Sequence, residues 1–598
     1  MCGIVAARGA DAGRLTLDGL RQLEYRGYDS AGLAVLGDGG HLVRERAVGK
    51  LNELLARVGD NAALLDPAGE LAIGHTRWAT HGPVHVDNAH PLTDCFGHIA
   101  VVHNGVLDNA AQLRSELMLS GHRFRSAVDS EVVAHLMERD LENGAGPLDA
   151  LRKTVARLEG AWALAVLVDG FDALFIARHG SPLLVRGGRD RFLVASDAHA
   201  TAAVPGPLRA LDDGDVVELG RTWRWRGARN GELPPVLDDT TGERPRMSAA
   251  SVDTSLTAVD TTATEIAQQT QLMAGLVDRV LTDRSAPQAC LRLGLPAEPR
   301  VLLLGCGTSY HAALVIARTL RGLAGLPCEA VIASEYDPRF QSRADLTIAI
   351  SQSGETADLL TAIDAVTGPL AVITNNVWSS LARRADAVLD CGAGQERGVA
   401  ATKSFTAQVL QGIGLALAVA SARGRADAVR DAEKRLRRLP GEIADADALA
   451  ASTAEQLAAE LVGATGWLFL GTGSGLPYAA EGALKLKEVT YRWAQSYPSA
   501  ELKHGPLALV EHGTPVVIVD NGSPRLATSA AEVAARGARV ITVGGRNSEL
   551  GPREFADDPP WGPLGCVPAL QRLALSLGEV LGRDVDRPRN LAKSVTVA

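Results

Sequence analysis

Three groups of residues in this 598-residue chain could do chemistry. The first is Cys2. With Met1 removed, its thiol sits beside its own free α-amine, so nucleophile and general base arrive in one residue. The second is Ser351-Gln352-Ser353-Gly354-Glu355-Thr356. Hydroxyls and backbone N–H groups at a helix start can cradle a phosphate without lysine or arginine. One serine there would be an ordinary helix cap, whereas three hydroxyls, an amide and a glycine after an apolar run favour an anion. The third is Glu481, Lys485 and Glu488, whose i, i+4, i+7 spacing puts them on one helical face. That spacing alone describes a solvated, salt-bridged face. It also describes a carboxylate base with a cation beside it, a pairing able to move a proton and stabilise the charge that develops. His504, in Glu501-Leu502-Lys503-His504-Gly505-Pro506, is a further candidate acid/base.

These residues need elements to position them. Up to about residue 225, short apolar runs alternate with turn signals: Gly3–Ala6, Gly32–Leu36, Ile99–Val102 and Ala163–Val168, with a helical pattern from Asp129 to Arg139. This reads as an α+β or layered-sheet domain. From 227 to 261 the composition turns to Pro, Gly, Asp, Thr and Ser, the signature of a linker. Beyond it the pattern becomes strand, Gly/Ser turn, helix. Arg300–Ser309 and Leu346–Thr356 follow it, and Ala371–Asn375 adds a strand and turn. Trp467–Ser474 and Pro515–Asp520 then repeat the scheme, pointing to a duplicated parallel α/β unit. The Gly305-Cys306-Gly307 turn is not a dinucleotide fingerprint, because position 310 is Tyr.

Bulk properties narrow the classes. The length calls for several domains. A net charge of -10 argues against nucleic acid or an anionic membrane as a partner. Seven scattered cysteines without a C-x-x-C pair indicate neither a disulfide framework nor a zinc site, and suit a reducing cytoplasm. Early charges at Arg8, Asp11 and Arg14 do not fit a signal peptide. No apolar run reads as long as the ~20 residues of a membrane span.

Cys2-Gly3-Ile4-Val5 resembles the start of the N-terminal-nucleophile glutamine amidotransferases. Leu23–Gly32, His75-Thr76-Arg77-Trp78-Ala79-Thr80-His81-Gly82 and His103-Asn104-Gly105 are similar to further motifs of that family. The resemblance implies that Arg77 holds the carboxylate of L-glutamine, Asp129 its ammonium, and Asn104 and Gly105 the oxyanion. It places Trp78, Thr80, His81 and His90 around the pocket or its gate, with Leu92 where the family often has a second histidine. The Ser351–Thr356 segment resembles the SIS (sugar isomerase) family, implying that Ser351, Gln352, Ser353 and Thr356 hold a sugar phosphate, with Thr308, Ser309, Val399 and Ala592 nearby.

With the tail from Asp584 to Ala598, the likeness to the glucosamine-6-phosphate synthase family runs the length of the chain. It implies a multi-domain α/β protein. A layered αββα glutaminase (1–226) precedes the linker (227–261) and two doubly wound parallel-sheet SIS subdomains (262–440 and 441–598). Lys593 is implied as the Schiff-base lysine, Lys485, Glu488 and His504 as proton-handling groups, and His504 as the gift of a neighbouring subunit in at least a dimer. No metal or cofactor is implied; ammonia passes through an internal channel bordered by Trp78 and the tail. Ala401 stands where the family usually has Ser, the stretch before Glu501 departs from its pattern, and the helix at Ala263–Thr270 lacks its Lys and Pro. Fructose 6-phosphate is the ketose phosphate the family implies, and these departures leave open a member acting on a different one.

Overall fold

The computed structural model describes residues 2–59, 64–65, 70–79, 82–226, 261–341, 343–552 and 559–595. Two compact units emerge, one built mainly from the first 246 residues and the other from Met247–Lys593.

In the first unit, strands β1 (Gly3–Arg8), β2 (Ser30–Leu36), β3 (Leu42–Val48), β4 (Leu71–Arg77), β5 (Leu92–Thr93), β6 (Ile99–Leu107), β7 (Gly160–Val168), β8 (Leu174–His179), β9 (Leu184–Gly187), β10 (Phe192–Ala195), β11 (Leu208–Ala210), β12 (Val216–Leu219) and β13 (Trp223–Arg226) form two antiparallel sheets. Their orders among the described residues are β11-β9-β10-β1-β4-β2-β3 and β13-β12-β8-β7-β6-β5. Alternation along each strand explains the layering. Ala163, Ala165 and Leu167 of β7 meet Ile4 and Ala6 of β1 in the core between the sheets. Trp162, Leu164 and Val166 face the helices Ala110–Leu119, Glu131–Glu142 and Pro147–Val155 instead. Val5 and Ala7 likewise pack under Ala12–Leu23 and Leu51–Gly59. Both faces of each sheet are covered, giving the layered αββα arrangement. The predicted helix at Asp129–Arg139 forms as Glu131–Glu142.

The second unit holds two parallel sheets. Strands β14 (Val301–Gly305), β15 (Cys328–Ile332), β16 (Leu346–Ser351), β17 (Leu370–Thr374) and β18 (Ala387–Asp390) run in the order β15-β14-β16-β17-β18. Strands β19 (Gly466–Gly471), β20 (Trp493–Pro498), β21 (Pro515–Val519) and β22 (Arg539–Val543) run β20-β19-β21-β22. The second order repeats the first four positions of the first, as the duplicated turn predicts. Leu303 and Phe469 share one core cluster, while Leu302 and Leu304, and Leu468 and Leu470, pack in clusters on the opposite faces.

One expectation needs correcting. The helix Lys403–Ala422 is long and apolar enough to cross a membrane by length and composition, so a span-length segment does exist. It is buried from Lys403 to Ala420 within the protein core, and the polar Lys403, Gln408 and Gln411 break up its apolar run in the sequence. The predicted linker lies outside the described residues except for Thr261, where the helix Thr261–Thr282 opens.

Candidate functional site

In the first unit, β4 and β6, one from each sheet, converge on Cys2 just before β1. Its Sγ accepts the Trp78 N–H at 3.3 Å, just past the end of β4. From β6, Asn104 Nδ2 donates to the Cys2 carbonyl at 3.0 Å. His75, buried on β4, donates from Nε2 to Asn104 Oδ1 at 3.0 Å and to the His103 carbonyl at 2.9 Å. Burial pushes the His75 imidazole down to about 3, so it stays neutral and its Nε2 proton is fixed toward Asn104. His90 stacks on His75 with ring centroids 4.3 Å apart, and burial lowers its basicity too. Burial raises the Cys2 thiol above its ordinary value, with the Arg77 charge pulling the other way.

Gly105, beside Asn104, has φ +129°, and a Cβ there would fall 1.9 Å from the Ala161 carbonyl oxygen. Only glycine lets the chain bring this N–H to the cleft. Asp129 Oδ2 accepts the Leu107 N–H at 2.9 Å, and its Oδ1 accepts from Ser130, whose hydroxyl lies 2.7 Å from His103 Nδ1. Arg77 is buried on β4, and burial lowers its guanidinium's affinity for its proton against the pull of Cys2, Asp29 and Asp129. Cation and carboxylate therefore flank one thiol, an arrangement able to hold an α-amino acid by both ends. Thr80 and His81 lie outside the described residues.

In the second unit, the turns Cys306–Gly307 and Gln352–Thr356 leave the carboxyl ends of the adjacent strands β14 and β16. The strand order reverses between these two, where open α/β sheets bind ligands. Ser351 Oγ accepts the Gly354 N–H at 3.0 Å and lies 3.1 Å from Thr356 Oγ1, at the cap of the helix Ala357–Asp364. Ser353 Oγ accepts the Glu355 N–H at 3.2 Å, and the Gln352 carbonyl accepts the Asn375 N–H. Gly354 has φ +66°, and a Cβ there would meet Ser379 Oγ at 2.0 Å. This is a tight hydroxyl-lined turn. Ser309 exchanges a hydrogen bond with Gln408 Nε2 at 3.1 Å.

A buried charge cluster lies in the same unit. Thr308 Oγ1 donates to Glu481 Oε1 at 3.0 Å, and His311 Nδ1 lies 2.7 Å from Glu481 Oε2. Lys485 Nζ bonds Glu488 Oε2 at 2.6 Å and lies 3.5 Å from Glu481. Burial opposes the Lys485 charge, yet Glu488 and Glu481 outweigh it and hold its pKa above the ordinary lysine value. Lys593 Nζ, near the chain end, bonds Glu396 Oε2 at 2.6 Å, both side chains almost wholly buried. Burial opposes the Glu396 charge, but Lys593 and Ser404 hold its carboxyl below the usual range. Burial and the Glu396 charge raise Glu265 next to it. Glu396 adds a small favourable field at Lys485.

Val399 donates its N–H to the Asp586 carbonyl at 3.0 Å, tying its loop to the tail that carries Ala592 and Lys593. Ala401, between Val399 and Lys403 in sequence, is half-buried. His504 is exposed on the 3₁₀ segment Ser499–His504. The structure thus gathers Cys2, Arg77, Trp78, Asn104, Gly105 and Asp129 in one unit. In the other it pairs Lys485 with Glu488 and, separately, Lys593 with Glu396. Sequence reasoning missed His75, Glu396 and Glu265. His75 opens a motif already quoted; Glu396 stands only seven residues before Lys403 in an unpatterned loop, with no signal pointing to its partner.

Known proteins match these units in order. A glutamine amidotransferase domain model matches residues 75–203, and a SIS domain model matches 295–418 and 460–550. The chain is 39% identical to a glutamine–fructose-6-phosphate aminotransferase (isomerizing) of Caulobacter vibrioides, covering 100% of both chains. It is 40% identical to one from Thermus thermophilus and 39% to one from Halobacterium salinarum, again covering 100% of both chains. The solved C-terminal domain of glucosamine-fructose-6-phosphate aminotransferase from Francisella tularensis aligns with TM-score 0.50 at 30% identity. The alignment covers 55% of this chain and 99% of that one.

Proposed function

Because the chain belongs to the glutamine–fructose-6-phosphate aminotransferase (isomerizing) family, we infer that it converts glutamine and fructose 6-phosphate into glutamate and glucosamine 6-phosphate. The observation that carries the sugar chemistry is the presence of two lysine–carboxylate pairs in the second unit, the buried Lys593–Glu396 and Lys485–Glu488.

In the first half-reaction the Cys2 thiolate attacks the glutamine amide carbon, its proton passing to the α-amine. Asn104 Nδ2 and the Gly105 N–H hold the oxyanion, an effect worth roughly 3 to 4 kcal/mol per donor. In the structure Asn104 Nδ2 already lies at the Cys2 main chain, fixed there by neutral His75. Ammonia leaves with a proton, and water cleaves the thioester to glutamate. In the second, the Lys593 amine condenses with the C2 carbonyl of the open ketose and releases water. Ammonia then displaces the lysine as the new imine nitrogen. Glu488 takes a proton from C1 and returns it to C2, giving the aldose amine, with the Lys485 ammonium stabilising developing negative charge. The water spent on glutamine equals the water released in imine formation, so the sum balances. The phosphate sits in the Ser351–Thr356 turn, held by hydroxyls and N–H groups.

Ammonia is passed internally from one half-reaction to the other. The enzyme acts as at least a dimer, in which His504, exposed on its own chain, serves a neighbouring site. It works in the cytoplasm, a setting that its free cysteines suit. The test supplies glutamine labelled with ¹⁵N in the amide, fructose 6-phosphate and excess unlabelled ammonium, and identifies the product by mass and NMR. Labelled glucosamine 6-phosphate is expected. Unlabelled product would refute internal transfer, and clear preference for another ketose phosphate would refute the substrate.

A further inference from the structure

The first unit contains a second cluster, which the proposed reaction does not use. Cys95 lies in the loop between β5 and β6, His122 follows the helix Ala110–Leu119, and His135 and Glu138 are one turn apart on the helix Glu131–Glu142. One ligand atom from each of the four lies within 4.8 Å of all the others. Cys95 Sγ is 3.8 Å from His122 Nδ1 and 3.6 Å from His135 Nδ1. Glu138 Oε2 is 2.8 Å from His122 Nδ1 and 2.9 Å from His135 Nδ1. We propose that Cys95, His122, His135 and Glu138 bind one zinc ion in a closed, structural tetrahedral site.

Several observations converge on this. The donor set of one thiolate, two imidazoles and one carboxylate matches zinc, whose sites draw on those three donor types. With Zn–S about 2.3 Å and Zn–N about 2.0 to 2.1 Å, tetrahedral geometry puts S and N about 3.5 Å apart. The two S···N separations already have that size. The N···O separations need to open by about half an ångström, a small movement of one glutamate side chain.

The orientation of His135 also fits a metal ligand. Its ring is fully buried, Nδ1 faces Glu138, and Nε2 makes no hydrogen bond but lies 3.6 Å from Glu131 Oε1. A neutral ring with its proton on Nδ1 would aim the Nε2 lone pair at that carboxylate. A metal on Nδ1 puts the proton on Nε2, where Glu131 accepts it, the usual support for a ligating histidine. Glu131 is itself held by the N–H groups of Arg125 and Ser126 and by the Ser126 hydroxyl. Charge balances as well: a dication with one thiolate, one carboxylate and two neutral imidazoles is neutral, which suits a buried position. On binding, the Cys95 proton leaves to solvent.

Such a clamp joins the loop leading into β6, the strand of Asn104 and Gly105, to the helix that follows Asp129. It would brace the glutamine cleft from behind without touching substrate. The ligands are 27, 13 and 3 residues apart along the chain, so no compact metal motif shows in the sequence.

The test is metal analysis of the full-length protein purified without chelator from zinc-supplemented cells. About one zinc ion per chain is expected, and Cys95→Ser and His122→Gln should each abolish it. Cobalt added to the metal-stripped protein should give a near-ultraviolet thiolate band and the visible bands of a tetrahedral ion. The thiolate band should vanish in Cys95→Ser and persist in Cys2→Ala. Folded wild-type protein free of zinc, with the four side chains forming only a hydrogen-bonded imidazolium network, would overturn the proposal. So would zinc content unchanged in both variants, or a different stoichiometric metal.

Discussion

Replacing Glu396 with glutamine keeps the shape of the side chain and removes its charge, leaving the Lys593 ammonium buried beside a neutral amide. At 2.6 Å and an effective dielectric near 20, the gross attraction between the two charges is about 6 kcal/mol. Desolvation of two almost fully buried ions offsets much of that, and removing one partner of such a pair typically costs about 3 to 5 kcal/mol. Glu396 also accepts hydrogen bonds from Ser404 N–H, Ser404 Oγ and Thr402 N–H. Glutamine retains an acceptor for some of these, so the lower end, about 3 kcal/mol, applies. Lys593→Met strands the carboxylate and costs about the same. The double variant removes both charges and should be destabilised by only about 1 to 2 kcal/mol, well under the sum of the singles. Equilibrium urea unfolding of the full chain reads these values in the transition of the isomerase unit, with glutamine hydrolysis reporting that the other unit is intact. The pH dependence has a definite sign. A carboxyl held below its usual 4.5 contributes stability that is complete above 4.5 and lost as the pH falls through the folded value, about 2. The gap between wild type and Glu396→Gln should therefore close in acid. Additive single costs, or a Glu396→Gln protein as stable as wild type at pH 7, would refute the pairing.

The same geometry sets the outcome of other perturbations. Gly105→Ala places a methyl against the Ala161 carbonyl and strains a φ of +129°, so glutamine hydrolysis should fall roughly 10²- to 10³-fold; near-normal turnover would remove Gly105 from the oxyanion site. His75→Ala releases Asn104, and the hydrolysis kcat should drop about 10²-fold with little change in the KM for glutamine. An unchanged kcat would show that Asn104 holds its position unaided. His75 and His90 are both kept neutral by burial, so each takes up a proton only on unfolding below the usual 6.5. The first unit should lose up to about 1.4 kcal/mol per pH unit for each of them below that value, and acid titration of its unfolding midpoint measures this. Ala401→Ser supplies the hydroxyl that the family usually has at this position; turnover on several ketose phosphates should change by no more than about 1 to 3 kcal/mol equivalent, and a complete switch of substrate would mark Ala401 as the specificity determinant.

What could be read in the chain and what could not divide along a physical line. The apolar runs of β1, β6, β7, β14, β16 and β19 were legible because each strand is covered on both faces, which leaves a continuous hydrophobic signal. The hydroxyl turn at Ser351–Thr356 was legible because it is local: neighbouring positions hydrogen-bond one another. Glu481, Lys485 and Glu488 were legible because helical periodicity alone puts them on one face, and Lys485 does pair with the other two. Where a group acts through a partner distant in sequence, the signal disappears. Glu396 meets Lys593 across 197 residues, from a loop with no periodicity. His75 belongs to a recognisable motif, yet its contact with Asn104 is visible only once β4 and β6 are folded together. The apolar helix Lys403–Ala422 was masked by its own polar residues, which are the ones the core uses: Gln408 bonds Ser309 and Lys403 bonds Gln268. Cys95 and His122 carry no local pattern, and only the fold brings them to His135 and Glu138. Buried charges paired within one helix, such as Lys485 with Glu481, are visible in the sequence, whereas those paired across the fold, such as Glu396 with Lys593, are not, because there the fold and not the local chain supplies the partner that a buried charge requires.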